Sequence, residues 1–239
     1  MVLYEELLKI DNDWLPELQK HESSIKQVFN MIEKTRLEYY PVIDNVFNAF
    51  KLTTLSEVKC VIWGQDPYPT TLDSGEPRAQ GYSFGVHKDD DIPKSLKNIF
   101  KEIKQNFPDY EIPDHGDLTH IAKQGVLFMN SALTYAVDEP TAHINLWKRF
   151  IYIVITIINK NIENCIHIIW GKKAEKLVEH INSREVYISG HPSPLSCRHF
   201  FGCKHFLKIN ITLKRQNKNQ INLNEDENLV PTYVEFLKT

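Results

Sequence analysis

The chain has 239 residues, enough for one large α/β domain or two small ones, and its 42% apolar and 25% charged residues predict a folded protein. No apolar run approaches the roughly 18 residues of a membrane span, and the first residues are acidic where a signal peptide is basic and apolar. Four cysteines without regular spacing indicate free thiols in a reducing compartment. Composition therefore excludes secreted, membrane, collagenous and disordered classes and predicts an intracellular protein, cytoplasmic or, in a eukaryotic host, nuclear.

The net charge of −3 is unevenly distributed along the chain. Residues 191–223 contain six basic residues and no acid, so the rest of the chain carries a net charge of −9. Such a stretch is most often a solvated basic face, but it is also typical of a local phosphate-binding surface. Charge alone does not decide between the two.

Hydrophobic periodicity and turn residues predict alternating helices and strands. Short β-branched runs that stop at glycine or a polar residue indicate buried strands, and apolar residues three and four apart indicate helices. Ser95 is predicted to cap the second helix. In chain order the predicted elements are a helix over 22–36, a strand over 58–63, a helix from Ser95 to Pro108, a strand over 126–129, a helix over 147–161, a strand over 166–170, a helix over 172–180, a strand over 186–189 and a helix over 204–215.

This alternation predicts an α/β fold, a central four-stranded parallel sheet flanked by helices. Ligands in such folds bind beyond the carboxyl ends of the strands. Three of the four predicted strands are followed there by polar residues: Gln65 and Asp66, then Asn130, then His191. The chemistry is therefore predicted at that edge of the sheet.

Two segments carry a family resemblance. Gly64-Gln-Asp-Pro-Tyr68 follows the first strand and His191-Pro-Ser-Pro-Leu-Ser196 follows the last, and both resemble signatures of the family-1 uracil-DNA glycosylases. Further motifs of the family occur between and after them in the same order: Gly81-Tyr-Ser-Phe84, Pro93-Lys-Ser95, His115-Gly-Asp-Leu118, Lys123-Gln-Gly-Val-Leu127 with Asn130-Ser-Ala-Leu-Thr134, Trp170-Gly171 and Phe200-Phe-Gly-Cys-Lys-His-Phe206. So many matches in one order are highly specific.

The resemblance covers about residues 14–223 and implies one uracil-DNA glycosylase domain over 1–239, with 224–239 as an extra C-terminal tail. It implies a monomeric enzyme of base-excision repair that flips uracil out of DNA and hydrolyses its N-glycosidic bond, leaving an abasic site. It implies no cofactor and no metal. The expected partner is uracil-containing DNA, single- or double-stranded, with no membrane; an inhibitor or a replication protein as a further partner is left open.

The catalytic roles fall on Asp66 and His191. Cleaving the bond develops positive charge on the sugar and negative charge on the departing base, so the site needs an anion beside the sugar and a donor aimed at uracil O2. By resemblance Asp66 positions the attacking water and stabilises the sugar cation, and a neutral His191 donates to the uracil anion. Taken alone, an Asp in such a turn more often caps the backbone, and a lone turn histidine is seldom catalytic.

Four residues are predicted to recognise the flipped base. Phe84 resembles the ring that stacks on uracil, and Tyr68 resembles the ring that collides with the methyl group of thymine. Asn130 can donate to uracil O4 and accept from N3–H, a pattern that cytosine reverses. Gln65 is expected to contribute backbone contacts. Structurally, Asn130 can also be a plain turn former and Phe84 plain core.

The remaining motif residues are predicted to contact DNA. Ser95, Ser193 and Ser196 can hydrogen-bond phosphates, and Leu195 resembles the wedge that fills the gap left by the flipped base. Arg198 lies in the acid-free stretch and is expected to add a phosphate contact.

The chain departs from the family in two places. Pro69 stands where the family usually has a histidine after Asp-Pro-Tyr, and its side chain adds no hydrogen bond to the network around the water. The segment 69–80 is about five residues longer than usual, by comparison with the family, so the rim that faces DNA is expected to differ.

The sequence leaves other functions and sites open. A DNA-binding scaffold or polymerase-processivity subunit could keep the fold without excision, and a related glycosylase could act on hypoxanthine or mismatched thymine. Retention of Asp66, Asn130 and His191 argues against the first, and Tyr68 with Asn130 against the second. The set His191, Cys197, His199, Cys203 and His205 lacks a Cys-x-x-Cys pair, and Cys60 and Cys165 fall in apolar strands, so zinc and iron–sulfur sites are disfavoured.

Overall fold

The computed structural model describes residues 1–225. Its helices are α1 (Val2–Leu7), α2 (Trp14–Gln19), α3 (Glu22–Thr35), α4 (Asn48–Leu52), α5 (Lys94–Asn106), α6 (Thr119–Ala122), α7 (Ile144–Asn161), α8 (Lys172–Glu175) and α9 (His205–Arg215), with 3₁₀ turns at Ile43–Asn45, Leu55–Glu57, Val178–His180 and Cys197–His199. Its strands are β1 (Tyr39–Tyr40), β2 (Cys60–Gly64), β3 (Val126–Asn130), β4 (Tyr135–Ala136), β5 (Ile166–Trp170) and β6 (Val186–Ser189).

Four of the strands form the predicted parallel sheet, in the order β3-β2-β5-β6. Every residue of β2, β3 and β5 is buried, because helices cover both faces of the sheet. The register places Gly64 opposite Asn130, so the carboxyl ends of β2 and β3 lie side by side. The α/β prediction with a central four-stranded parallel sheet is confirmed.

The long apolar helix α7 supplies much of one side of the core. It runs over 18 residues and buries eight apolar side chains. Its Trp147 and Phe150 pack against Phe29 of α3 and Phe47, with ring centroids 5.6–6.5 Å apart. Aromatic pairs at these separations stabilise beyond the area they bury, so this cluster anchors α3 to α7.

Several predicted boundaries are wrong for local reasons. Ser95 does not cap α5: the cap is Pro93, whose carbonyl accepts the Lys97 N–H, and Ser95 is the second helical residue. The helix predicted over 172–180 is instead α8 followed by a 3₁₀ turn. At its end, the Asn159 side chain bonds the His180 carbonyl and the Asn182 N–H, which satisfies backbone groups there without a further helical turn.

A second, two-stranded antiparallel sheet is new. It pairs β1 with β4, so the segment that follows α3 lies next to the segment that follows β3. Strands of two residues carry no detectable alternation, so the sequence offered no signal for them. No helix within residues 1–225 is long and apolar enough to cross a membrane.

Two buried histidines couple stability to pH. His167 accepts a hydrogen bond from Trp63 Nε1 at 3.1 Å, and His205 accepts one from Trp170 Nε1 at 2.9 Å. Burial lowers the pKa of His167 to about 4, and burial together with the nearby charge of Lys208 lowers that of His205 to about 3. Both imidazoles are therefore neutral in the folded protein at pH values where the unfolded chain is protonated.

Between pH 6 and pH 5 we expect these two histidines to lower the free energy of unfolding by about 2 kcal/mol. The unfolded chain takes up protons below about pH 6.5 while the folded chain does not, so stability is lost as the pH falls through this window. Urea unfolding followed by tryptophan fluorescence at several pH values measures the slope. His167→Gln, which keeps an acceptor for Trp63, should remove about half of it; a stability that is flat from pH 7 to pH 5 would contradict this expectation.

Candidate active site

A small pocket opens at the carboxyl ends of β2 and β3. Its volume is about 180 Å³, below the roughly 300–1,000 Å³ typical of sites for drug-sized ligands, so it suits one small planar molecule. The predicted Gln65, Asp66, Tyr68, Phe84, Asn130, His191 and Ser95 all line it. A larger open groove of about 1070 Å³ lies at the opposite edge of the sheet and contains none of these residues.

Asn130 ends β3 and turns its side chain into the pocket over Gly64. A Cβ atom on Gly64 would lie 2.3 Å from Asn130 Oδ1, so only glycine allows the amide to occupy this position. Asn130 is 6% exposed and lines the pocket. A side-chain amide both donates and accepts hydrogen bonds, so at the pocket wall it favours a ligand with an acceptor and a donor side by side.

Asp66 follows β2 in a turn that is held by hydrogen bonds from the turn after β3. The Gln65 carbonyl accepts the Ala132 N–H at 3.0 Å and the Ser131 hydroxyl at 2.7 Å. The Gln65 side-chain amide donates to Asp66 Oδ2 at 3.2 Å. These contacts tie the carboxylate to the turn after β3, so Asp66 and Asn130 face the same pocket.

His191 lies beyond β6, and its tautomer follows from its hydrogen bond. The Ser193 N–H donates to His191 Nδ1 at 3.0 Å, so Nδ1 has no proton and Nε2 carries it in the neutral ring. A Cβ on Gly171, whose φ is +92°, would approach the His191 Cβ to 3.0 Å. The glycine that ends β5 thus leaves room for this side chain.

Phe84 lies beside His191 in the pocket wall and has an unusual backbone conformation. Its φ is +67°, in the left-handed region that a non-glycine residue seldom adopts. Its ring packs edge-on against Trp170 at 5.1 Å and lies 5.9 Å from the His191 ring. The Tyr68 hydroxyl donates to the Phe84 carbonyl at 2.8 Å, and burial raises the pKa of Tyr68, so this donor stays protonated.

The loop 191–196 bonds mainly to itself. The Ser196 hydroxyl donates to the His191 carbonyl at 3.0 Å and lies 3.1 Å from the Ser193 hydroxyl. Leu195 between them is 99% exposed. Arg198, in the following 3₁₀ turn, is exposed and donates through Nε to His199 Nε2 at 3.0 Å. The loop therefore presents the apolar Leu195 and the cationic Arg198 to solvent, and hydrogen bonds within the loop hold its backbone.

Helix α5 joins this loop to the pocket. Ser95 lies in its first turn at the pocket wall, where backbone N–H groups have no helical partner and attract anions. One turn on, the Asn98 side-chain amide donates to the Pro192 carbonyl at 2.7 Å. The predicted phosphate-binding Ser95 and the His191 loop are thereby held at a fixed separation.

A buried carboxylate that the motifs did not single out supports the same region. Glu102 of α5 is 1% exposed and accepts the N–H groups of Gly202 at 2.8 Å and Lys204 at 2.9 Å. These bonds hold the turn that joins the loop to α9. The only sequence feature that could have pointed to Glu102 is an acidic residue beside the apolar face of α5, near Phe100 and Ile103.

The two departures from the family pattern meet at the pocket rim. Pro69 lines the pocket, and the segment 69–80 after it forms a small hairpin closed by a bridge between Thr71 and Pro77. An ion pair of 3.1 Å between Arg78 and the buried Asp90 ties the base of this hairpin to the segment before α5.

The residues considered for a metal serve other contacts. Cys60 and Cys165 are buried, and burial raises the pKa of both thiols. Cys203 contacts Glu102, and His205 Nδ1 accepts from Trp170. Within the described part of the chain, no group of three or more His, Cys, Asp or Glu residues is placed to hold a metal ion.

A small pocket at the carboxyl edge of a parallel sheet, lined by the Asp66 carboxylate, the His191 imidazole and the Asn130 amide, defines the class of α/β proteins that bind a small ligand beyond their strand ends. Comparisons with known proteins narrow the class. Residues 50–214 match the model of the uracil DNA glycosylase superfamily. The chain is 42% identical to the uracil-DNA glycosylase of Buchnera aphidicola subsp. Cinara cedri, over 86% of this chain and 91% of that protein.

Solved structures agree. Mimivirus uracil-DNA glycosylase has a TM-score of 0.82 and 31% identity, over 88% of this chain and 86% of that one; a mimivirus UNG variant in complex with UGI gives the same TM-score and identity, over 88% and 87%. The chain belongs to the uracil-DNA glycosylase family, hydrolases of N-glycosyl bonds that excise uracil from DNA in base-excision repair. This favours the enzyme over the scaffold and over the glycosylase for hypoxanthine or thymine.

Proposed function

We propose that Asp66 and His191 carry the hydrolysis of the uracil N-glycosidic bond in this chain. The observation that supports this most directly is the hydrogen bond from the Ser193 N–H to His191 Nδ1, because it leaves Nε2–H as a donor. A neutral imidazole donor suits an anion that forms during the reaction, and a carboxylate suits the cation that forms beside it.

The proposed reaction begins with a flipped uridine whose base fills the pocket. As the C1′–N1 bond breaks, its electron pair leaves with uracil and the negative charge spreads to O2, where His191 Nε2–H donates. Asp66 stabilises the sugar cation and accepts a hydrogen bond from the water whose oxygen adds to C1′. The water's proton passes to Asp66 and then to solvent, and the uracil anion takes up a proton from solvent, so the products are free uracil and an abasic site.

The proposed recognition of uracil rests on the pocket walls. The Asn130 amide pairs with O4 and N3–H, and Phe84 stacks on the ring plane. The Tyr68 ring, fixed by its bond to the Phe84 carbonyl, occupies the space that a thymine methyl would need. Gln65 contributes the backbone that follows β2.

We further propose that the pocket rim binds uracil-containing DNA, single- or double-stranded. Ser95, Ser193 and Arg198 contact phosphates. The exposed Leu195 enters the base stack of the duplex. Ser196 has its hydroxyl engaged by the His191 carbonyl, so a phosphate contact there would have to displace that bond.

The assembly and its setting are part of this proposal. We propose one domain over residues 1–239 that acts as a monomer without a cofactor, and an intracellular site of action, since the substrate is DNA and all four cysteines are free thiols. The tail predicted over 224–239 lies almost entirely outside the described residues. The complex of a similar mimivirus variant with the inhibitor UGI supports an inhibitor as a further partner.

The test is release of bases from oligonucleotides that each contain one uracil, hypoxanthine, mismatched thymine or cytosine, in the presence of EDTA. The parent enzyme is expected to release uracil alone. Asn130→Asp should gain detectable cytosine release, because a protonated carboxyl group can offer the donor and acceptor pattern that cytosine requires. Asn222→Asp, which makes the same change outside the pocket, is the matched control.

Two results would contradict the proposal. Release of hypoxanthine or thymine by the parent at a rate near that of uracil would mean that Tyr68 and Asn130 do not select the base. Full uracil release by Asn130→Asp without any cytosine release would remove Asn130 from recognition.

A further inference from the structure

The stacking residue Phe84 is held in a backbone conformation that its own side chain disfavours. A φ of +67° is unfavourable for a non-glycine residue, so it persists only where the surroundings determine it. One restraint is already described: the Tyr68 hydroxyl bonds the Phe84 carbonyl. A second restraint acts on the next residue.

That restraint is the ring of Tyr82, which packs against the backbone of Gly85. A Cβ atom on Gly85 would lie 1.9 Å from Tyr82 Cε2 and 2.7 Å from Cζ. The ring is rigid and the residue is 8% exposed, so it cannot move aside cheaply. Tyr82 therefore fills the space behind the turn that carries Phe84.

The far end of Tyr82 is anchored by Asp117. The Tyr82 hydroxyl donates to Asp117 Oδ1 at 3.2 Å, and the same oxygen accepts the Thr119 N–H at 2.8 Å and hydroxyl at 2.6 Å. Burial raises the pKa of Tyr82, which keeps the donor protonated. For Asp117, burial opposes ionisation, but the bonds from Thr119 and Tyr82 lower its pKa and keep the acceptor charged.

Asp117 is itself fixed from outside the pocket. Its N–H donates to His115 Nδ1 at 3.2 Å, and His115 Nε2 lies 3.0 Å from a carboxylate oxygen of Glu225. Segment 115–118 also pairs with the turn directly, because the Val86 N–H donates to the Gly116 carbonyl at 3.0 Å. The anchor and the turn thus form one bonded unit.

We propose that Tyr82, anchored by Asp117, is a positioning residue for uracil binding: it holds the turn at Gly85 so that the Phe84 ring stays in the stacking position. This rests on the proposed stacking role of Phe84. Tyr82 itself lines the pocket wall, but its hydroxyl points at Asp117, so its polar group acts on the turn rather than on the base.

The experiment measures inhibition of uracil release by free uracil, which reports how well the pocket holds the base. Tyr82→Phe keeps the ring and removes the anchor, and we expect it to raise the inhibition constant about fivefold, the effect of losing one ordinary hydrogen bond. Asp117→Asn keeps an oxygen acceptor and should stay within about twofold of the parent, while Asp117→Leu should match Tyr82→Phe. Tyr110→Phe alters a buried tyrosine outside the pocket and controls for stability.

A double variant separates positioning from a general loss of stability. If Tyr82 acts through Phe84, then Tyr82→Phe should change the inhibition constant by less than about twofold once Phe84 is already leucine. The same fold-change in both backgrounds, or no change in Tyr82→Phe alone, would overturn the inference. If Phe84→Leu leaves uracil inhibition unchanged, the stacking role fails instead, which keeps the two failures distinct.

Discussion

Asp66→Asn is expected to lower the single-turnover rate of uracil release by about 10²–10³-fold, the scale seen when one preorganised electrostatic contact to a transition state is removed. The substitution keeps the shape of the side chain and an oxygen that can accept from the Gln65 amide. What it removes is the negative charge beside the sugar cation. The loss should therefore appear in the chemical step and leave binding of uracil-containing DNA intact.

The matched control for Asp66 is Asp73→Asn. Asp73 is exposed on the rim hairpin, so this variant removes the same charge close to the site without touching the pocket. Its rate should stay near that of the parent. Unchanged release by Asp66→Asn, with thermal unfolding also unchanged, would remove the carboxylate from the mechanism.

Leu195→Ala is expected to lower uracil release from a U:A duplex by about ten- to a hundredfold. Taking a base out of a duplex costs on the order of a few kcal/mol, and a side chain that enters the stack offsets part of that cost. Leu195 is 99% exposed at the tip of its loop, so it contributes almost no packing to the free protein. Its removal should thus leave stability unchanged.

The size of the loss should depend on the DNA substrate, which separates a role in base flipping from a role in loop folding. The loss of rate should be smallest on single-stranded DNA, where little stacking must be overcome. A U:G mismatch should show a loss between those on the U:A duplex and on the single strand. Base selectivity should not change, because Asp66, Asn130 and His191 are untouched. Ile112→Ala, which trims an exposed apolar residue outside the site, is the control. Equal losses on all three substrates would assign Leu195 to loop folding instead.

The sheet and the residues at its edge could be predicted from the chain alone. The runs Cys60–Trp63 and Val126–Met129 are apolar at every position, which is typical of strands covered on both faces. Parallel pairing then brings their carboxyl ends together. Asp66 and Asn130, 64 positions apart in the chain, were therefore predicted to share one pocket, and the structure places them there.

Helix ends and the support of the site could not be predicted, because they depend on contacts between distant segments. Ser95 had the chemistry of a helix cap, but the extended backbone of Pro93 starts α5 two residues earlier. Nothing in the local pattern of α5 marks Glu102 as an acceptor, because the two backbone N–H groups that it binds come from the turn before α9, about 100 residues away.

By itself, then, the sequence determined the α/β class, the parallel sheet and the family of motifs, because each is encoded in local periodicity and in residues adjacent to strand ends. Only the tertiary structure decided the proton position on His191, the left-handed Phe84 and its support by Tyr82 and Asp117. The Tyr82–Asp117 bond spans 35 residues of sequence. A hydrogen bond at that range leaves no periodic trace in the chain, since it exists only once the segments have packed.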